Sequence, residues 1–138
     1  MVYSELTEDE RRTMARMRQL VSEVAGAIGK RWPPEGVDEG LGLLQALIDE
    51  EAFSKPIGLT AYGVCFGDLH CMAGPLRWTH QESEVACGAY VRWKETSIGI
   101  NATYMIRKRI EAGQPVDIRD VFKNQLEQCQ EIEDNGAQ

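Results

Sequence analysis

A chain of 138 residues has the length of one domain, which leaves no room for a second catalytic module. Hydrophobic residues at 43% and charged residues at 27% sit in the ordinary globular range, excluding a disordered chain, a collagen-like repeat and a coiled-coil rod. Lys and Arg number 15 against 22 Asp and Glu, a net charge of −7, which opposes binding to phosphate backbones because such binding draws on a basic face and released counterions.

The opening Met1-Val2-Tyr3-Ser4-Glu5-Leu6 has neither the basic n-region nor the apolar h-region of a secretory signal. No later stretch reaches the roughly 18 consecutive apolar residues of a membrane span, so the expected location is the cytoplasm. A first helix is expected after Thr7, because Thr7-Glu8-Asp9-Glu10 has capping-box spacing and puts acids where a helix N-terminus is partially positive. Met14, Met17, Leu20, Val21, Val24, Ala25 and Ile28 then form one apolar stripe at spacings of three and four. Arg11, Arg12, Arg16 and Arg18 flank it and read as solvated surface with their stems over apolar neighbours. Gly29 and Pro33-Pro34 end the helix.

Leu41, Leu44, Leu47 and Ile48 predict a second amphipathic helix from near Asp38. Residues 35 to 54 around it contain six acids, Glu35, Asp38, Glu39, Asp49, Glu50 and Glu51, and no base. Most such clusters are solvated surface; the functional reading is a docking face for a basic partner, since complementary charge steers association. A third helix is expected from Thr60, carrying Tyr62, Phe66, Leu69 and Met72 among Gly63, Gly67 and other small residues. Glycine costs a helix interior about 1 kcal/mol against alanine, so two of them four apart predict close approach by another element. Asp68 and His70 argue against a membrane reading of that spacing, and Gly74-Pro75 stops the helix.

The period then changes. Leu76, Trp78 and His80 alternate, as do Cys87, Ala89, Val91 and Trp93, and then Ile98 and Ile100. Three antiparallel strands over about 76–101 are expected, one apolar face covered by helices and the other turning Arg77, Thr79, Gln81, Tyr90, Arg92 and Lys94 to solvent. Hairpin connections fall near Glu82–Val85 and Lys94–Thr96. Tyr104, Met105, Ile106 and Ile110, closed by Gly113, predict a fourth helix beside Arg107-Lys108-Arg109. Asp117 caps a fifth that buries Ile118, Val121, Phe122 and Leu126 and frays from Glu131. The predicted fold is α+β in a single domain, 1–138, with a helical part at about 7–74, the sheet, and two C-terminal helices at about 102–132 packed on its apolar face.

An ordered set of features spans Leu59 to Phe122: Gly63-x-x-x-Gly67-Asp68 on a helix, Leu76-x-Trp78 opening a strand, the apolar strand at Ile98–Ile100, then Ile106-x-Lys108-Arg109-x-Glu111-x-Gly113 and Val116-Asp117. In these the chain resembles a bacterial family of uncharacterised proteins, domain-of-unknown-function family 3806. The family pattern has a proline just after the third strand, where this chain has Asn101-Ala102. The resemblance implies a small bacterial α+β domain with Trp78 and the Ile106–Gly113 segment as structural signatures, and it brings no activity.

Cys65, Cys71, Cys87 and Cys129 include no C-x-x-C pair and are expected as free thiols. On a helix, Cys65 and Cys71 are separated by a rise of about 9 Å, too far for a disulfide. If the hairpin turns around Ser83-Glu84, His80 stands opposite Cys87 on the inner face, where an imidazole could activate the thiol; no acid is placed to orient that imidazole, and the bland reading is a packed thiol. Cys65, Asp68, His70, Cys71, His80 and Cys87 lack zinc-ribbon or H-E-x-x-H spacing, so no metal site is expected. Asp68 reads most simply as a salt-bridge partner of Arg107-Lys108-Arg109. No phosphate-cradling glycine loop and no G-x-S-x-G occurs. The expectation is therefore a non-enzymatic protein with no cofactor and no catalytic, cofactor-binding or metal residues. It is a protein-binding module of immunity or inhibitor type, occupying a basic partner such as a toxin acting on nucleic acid, with no nucleic-acid or membrane partner of its own. The alternatives are a scaffold or homo-oligomer joined through the Gly63/Gly67 face, and a Cys/His-dependent enzyme or metal-binding protein.

Overall fold

The capping box at Thr7 forms: the Thr7 hydroxyl accepts from the Glu10 amide and the Glu10 carboxylate accepts from the Thr7 amide. In the computed structural model, which describes residues 2–84 and 87–136, this box opens α1 (Glu8–Ala27). Met14, Val21 and Ala25 are buried along the expected stripe, and Ile28 caps the end in solvent. Gly29 follows at φ +73°, the left-handed conformation that glycine adopts without steric cost. α2 (Val37–Asp49) comes next and buries Leu41, Leu43, Leu44 and Leu47.

α3 (Pro56–Ala73) starts four residues before Thr60, because Pro56 takes the first helical position, where its missing N–H is no loss. This helix is buried on nearly all sides, from Leu59 through Leu69 and His70, as befits the central element of a helical layer. α1, α2, α4 (Ala102–Glu111) and the sheet all pack on it. The two glycines admit the predicted close approach: a Cβ on Gly63 would meet the Ala102 and Thr103 carbonyls, and one on Gly67 would meet the Trp78 ring. The Gly63/Gly67 face is thus filled from within the chain and is no surface for a second copy. Ala102 occupies the first position of α4 and is fully buried.

Among the described residues the sheet has four strands, not three: β1 (Val2–Ser4), β2 (Leu76–Glu82), β3 (Cys87–Trp93) and β4 (Gly99–Ile100), antiparallel in that order. β1 is too short to show alternation, and it pairs with a strand some 78 residues away, Val2 opposite Glu82 and Ser4 opposite His80. It also changes the outer face. Thr79 and Gln81, expected in solvent, are 4% and 5% exposed; Tyr3 stands opposite Gln81, donates its hydroxyl to the Ser97 carbonyl at 2.7 Å and has the Arg92 guanidinium 4.2 Å from its ring centre.

On the inner face Leu76, Val91, Trp93 and Ile100 are buried with Ala102 and Cys129. Most of the cover over β2 comes from α3 rather than from the two C-terminal helices. α5 (Ile118–Asp134) starts at Asp117, whose side chain accepts from the Asp120 amide. It runs past Glu131 instead of fraying there, because Glu133 accepts from the Trp93 indole at 2.6 Å and pairs with Lys94 at 2.8 Å. Met105 and Leu126 pack against both the helical core and the core under the sheet. No helix among the described residues is long and apolar enough to cross a membrane.

Candidate functional site

α2 divides the six acids into two groups at its ends, about 16 Å apart by helical rise. At the N-terminal end Glu35 pairs with Arg31 at 3.0 Å and Asp38 with Arg119 at 3.1 Å. Glu39 lies in the first turn and accepts from the Glu35 amide, where the helix dipole favours negative charge. At the other end Asp49 accepts from the Gln45 side-chain Nε2 at 2.8 Å, and Glu50 and Glu51 follow, exposed, with no base in the last turn of the helix. Among the described residues Asp49, Glu50 and Glu51 form no ion pair, although Arg and Lys elsewhere are largely paired.

Asp68 does not reach the Arg107–Arg109 run. It accepts two hydrogen bonds from Arg18, at 2.7 and 2.9 Å, and a third from the Trp78 indole at 2.9 Å. Arg107 pairs instead with Glu111 in its own helix, and Arg109 donates to the Met105 carbonyl. Arg18, expected in solvent, is therefore a half-buried strut between α1 and α3. Its hydrogen bonds to Asp68 outweigh burial and raise its pKa. Gly63, Gly67, Asp68 and Trp78 converge on one joint of α1, α3, α4 and β2, a structural use of them.

The thiol and imidazole singled out in the sequence do come together, in a different register. Ala89 stands opposite His80, and Glu82 opposite Cys87. Since side chains two apart on a strand share a face, His80, Glu82 and Cys87 meet at the end of the hairpin where the chain passes from β2 to β3. Cys87 Sγ lies 3.9 Å from His80 Nε2 and 3.8 Å from a Glu82 carboxylate oxygen. Val85 and Ala86, part of the predicted turn, lie outside the described residues.

The acid missing from the sequence argument is Glu10. Its Oε2 lies 2.9 Å from His80 Nδ1 while its Oε1 holds the Thr7 amide. Burial pushes the Glu10 carboxyl up, but the hydrogen bonds from the Thr7 amide and His80, with the pull of the imidazole, outweigh it and leave the group below its ordinary value. The imidazole and carboxylate are 16% and 18% exposed, whereas Cys87 stands in solvent. The capping-box spacing does mark Glu10, but only for its local role, 70 residues from His80. The other thiols lack this setting: burial pushes Cys65 and Cys71 up, with Asp68 adding to it, and burial likewise raises Cys129.

A cavity of about 560 Å³ opens on the outer sheet face and brings in Arg11, Arg77 and Arg92. Each already has an acid, Glu5 for Arg11 and Glu95 for the other two, so little positive charge is left for an anion. A second groove, about 240 Å³, runs beside Glu10 between Met14, Met17, Val64 and Ala89, and Cys87 is not on its walls.

No curated protein shows significant sequence similarity to the chain. The fold is that of a protein from Bacteroides thetaiotaomicron VPI-5482 whose crystal structure was determined at 1.50 Å resolution, with a TM-score of 0.77 at 16% identity over 91% of this chain. The aligned part is 48% of that protein, so this chain spans about half its length. A family model described as a domain of unknown function, DUF3806, matches residues 40–122. That match takes in the α2–α3 layer, the β2–β4 meander, α4 and the start of α5, more than half of the sequence, and the chain belongs to the DUF3806 family.

Proposed function

We propose that this is a non-catalytic protein-binding module of inhibitor or immunity type, and that the acidic C-terminal end of α2 is the surface that receives a basic partner. The observation that carries this reading is the position of Asp49, Glu50 and Glu51, three acids at a helix end whose own dipole is negative, with no base in the last turn. Each such charge costs an exposed helix about 0.3–1 kcal/mol. A cationic partner removes that cost, and the exposed charges steer it in before contact. The acids at the other end of α2 contribute less, since Glu35 and Asp38 are already neutralised.

The test starts with the intact chain as bait in extracts of its native host, the captured protein being identified by mass spectrometry. Its association rate is then compared for wild type and for the triple variant Asp49→Lys, Glu50→Lys, Glu51→Lys. The variant is expected to associate at least about tenfold more slowly at low salt, the difference shrinking as salt screens the charges. Its melting temperature stays level or rises, because lysine suits a helix C-terminus. Equal rates at low salt with a folded variant would remove the reading.

A further inference from the structure

We propose that His80, Glu82 and Cys87 form a site for a single divalent transition-metal ion, best suited to zinc, at the end of the β2–β3 hairpin where the chain passes from β2 to β3. Each residue offers one ligand atom, and the three atoms lie within 4.8 Å of one another. Tetrahedral zinc, with bonds of about 2.3 Å to sulfur and about 2.0 Å to nitrogen, sets those two atoms about 3.5 Å apart. The present Sγ to Nε2 separation of 3.9 Å and Sγ to carboxylate separation of 3.8 Å are within a few tenths of an ångström of that. Glu82 and Cys87 are exposed, so small side-chain rotations close the gap without moving the strands.

Glu10 supplies the independent argument. A histidine that ligates a metal normally gives its other ring N–H to a carboxylate, which fixes the tautomer and strengthens the ligand. Here His80 Nδ1 faces Glu10 at 2.9 Å, which leaves the Nε2 lone pair pointing toward Cys87. Histidine, carboxylate and thiolate together suit a borderline ion such as zinc, with the fourth position open to water or to a partner's side chain.

The same residues could instead serve a thiol nucleophile, but Glu82 argues against that. A carboxylate beside the sulfur repels the thiolate that such chemistry needs, whereas a dication neutralises both. The neighbouring groove also lies on the Glu10 side, and Cys87 is not on its walls.

The experiment titrates the reduced, chelator-stripped 138-residue chain with Co²⁺ by absorption, then displaces the cobalt with Zn²⁺. One ion per chain is expected, with a thiolate-to-cobalt charge-transfer band in the near ultraviolet. His80→Gln and Cys87→Ser abolish the band; Glu10→Gln keeps it and weakens binding about 10- to 100-fold. A second measurement needs no variant: iodoacetamide labelling of wild-type Cys87, mapped by mass spectrometry, slows when Zn²⁺ is added. No band, a band that survives both His80→Gln and Cys87→Ser, or Cys87 labelling indifferent to Zn²⁺ overturns the proposal. Because the α2 acids take no part, none of these results bears on the partner-binding reading.

Discussion

Asp68 accepts from three donors, two on Arg18 and one on Trp78, so a single carboxylate ties α1 and β2 to α3. Asparagine keeps its shape but loses the charge and one acceptor, leaving part of a half-buried guanidinium unpaired. Asp68→Asn is expected to cost about 1–3 kcal/mol in urea unfolding, and Arg18→Met about as much. The double variant costs less than the sum, since each single change already breaks the same pair. Additive losses would show that the two do not act as one unit. The aspartate was visible in the sequence as a chemistry-bearing residue on a glycine-bearing helix. Its partner was not, because Arg18 is 50 positions away and nothing local separates a strut arginine from its solvated neighbours Arg11, Arg12 and Arg16.

Between elements, the approach of α4 to α3 is decided by the absence of a side chain. A methyl group at Gly63 would press on the Ala102 and Thr103 carbonyls, and backbone atoms cannot swing aside as a flexible side chain can. Gly63→Ala is therefore expected to destabilise by about 1–3 kcal/mol or more, despite the roughly 1 kcal/mol that alanine adds to helix propensity. Gly26 in α1 is the control. Nothing lies within 4 Å of a Cβ there, so Gly26→Ala should stabilise by about 0.4–1 kcal/mol. Thermal unfolding of both variants reads the opposite signs directly; two changes of the same sign would contradict the packing argument. The glycine pair was legible at i and i+4. The identity of what fills it, a helix start at Gly63 and an indole at Gly67, needed the fold.

Across the whole molecule, pH acts on groups that are buried or hydrogen-bonded. His70 lies fully inside, with Nδ1 at 2.8 Å from the Phe66 carbonyl and Nε2 at 2.7 Å from the Gln125 side chain. Burial holds its pKa below the ordinary imidazole value, with those two hydrogen bonds opposing. As pH falls through about 6.5, the unfolded chain takes up this proton before the folded one, so stability drops until the folded imidazole also titrates. Glu10, held below its ordinary value, adds a second loss that begins below about pH 4.3 and ends as its folded carboxyl is protonated. The urea midpoint is thus expected to be lower at pH 5 than at pH 7.5, with a slope from His70 of at most about 1.4 kcal/mol per pH unit. His70→Gln should flatten the profile between those two values; an unchanged slope would assign it to other groups.

What the amino-acid order determined alone is whatever rests on neighbours in the chain. The capping box at Thr7, the N-cap at Asp117 and the existence of β2 and β3 as strands rest on residues a few positions apart, and each formed. Tertiary structure decided the rest. β1 exists because β2 offers it an edge, Arg18 is a strut because α1 lies on α3, and hairpin register rather than composition brings Glu82 to Cys87. Glu10 shows both sides of this: one carboxylate oxygen caps its own helix, as its spacing from Thr7 foretold, and the other orients a histidine that only folding brings within reach. Local hydrogen bonds depend on sequence separation and can be read from it, whereas a site assembled from distant strands and helices depends on packing geometry, which the residue order does not display.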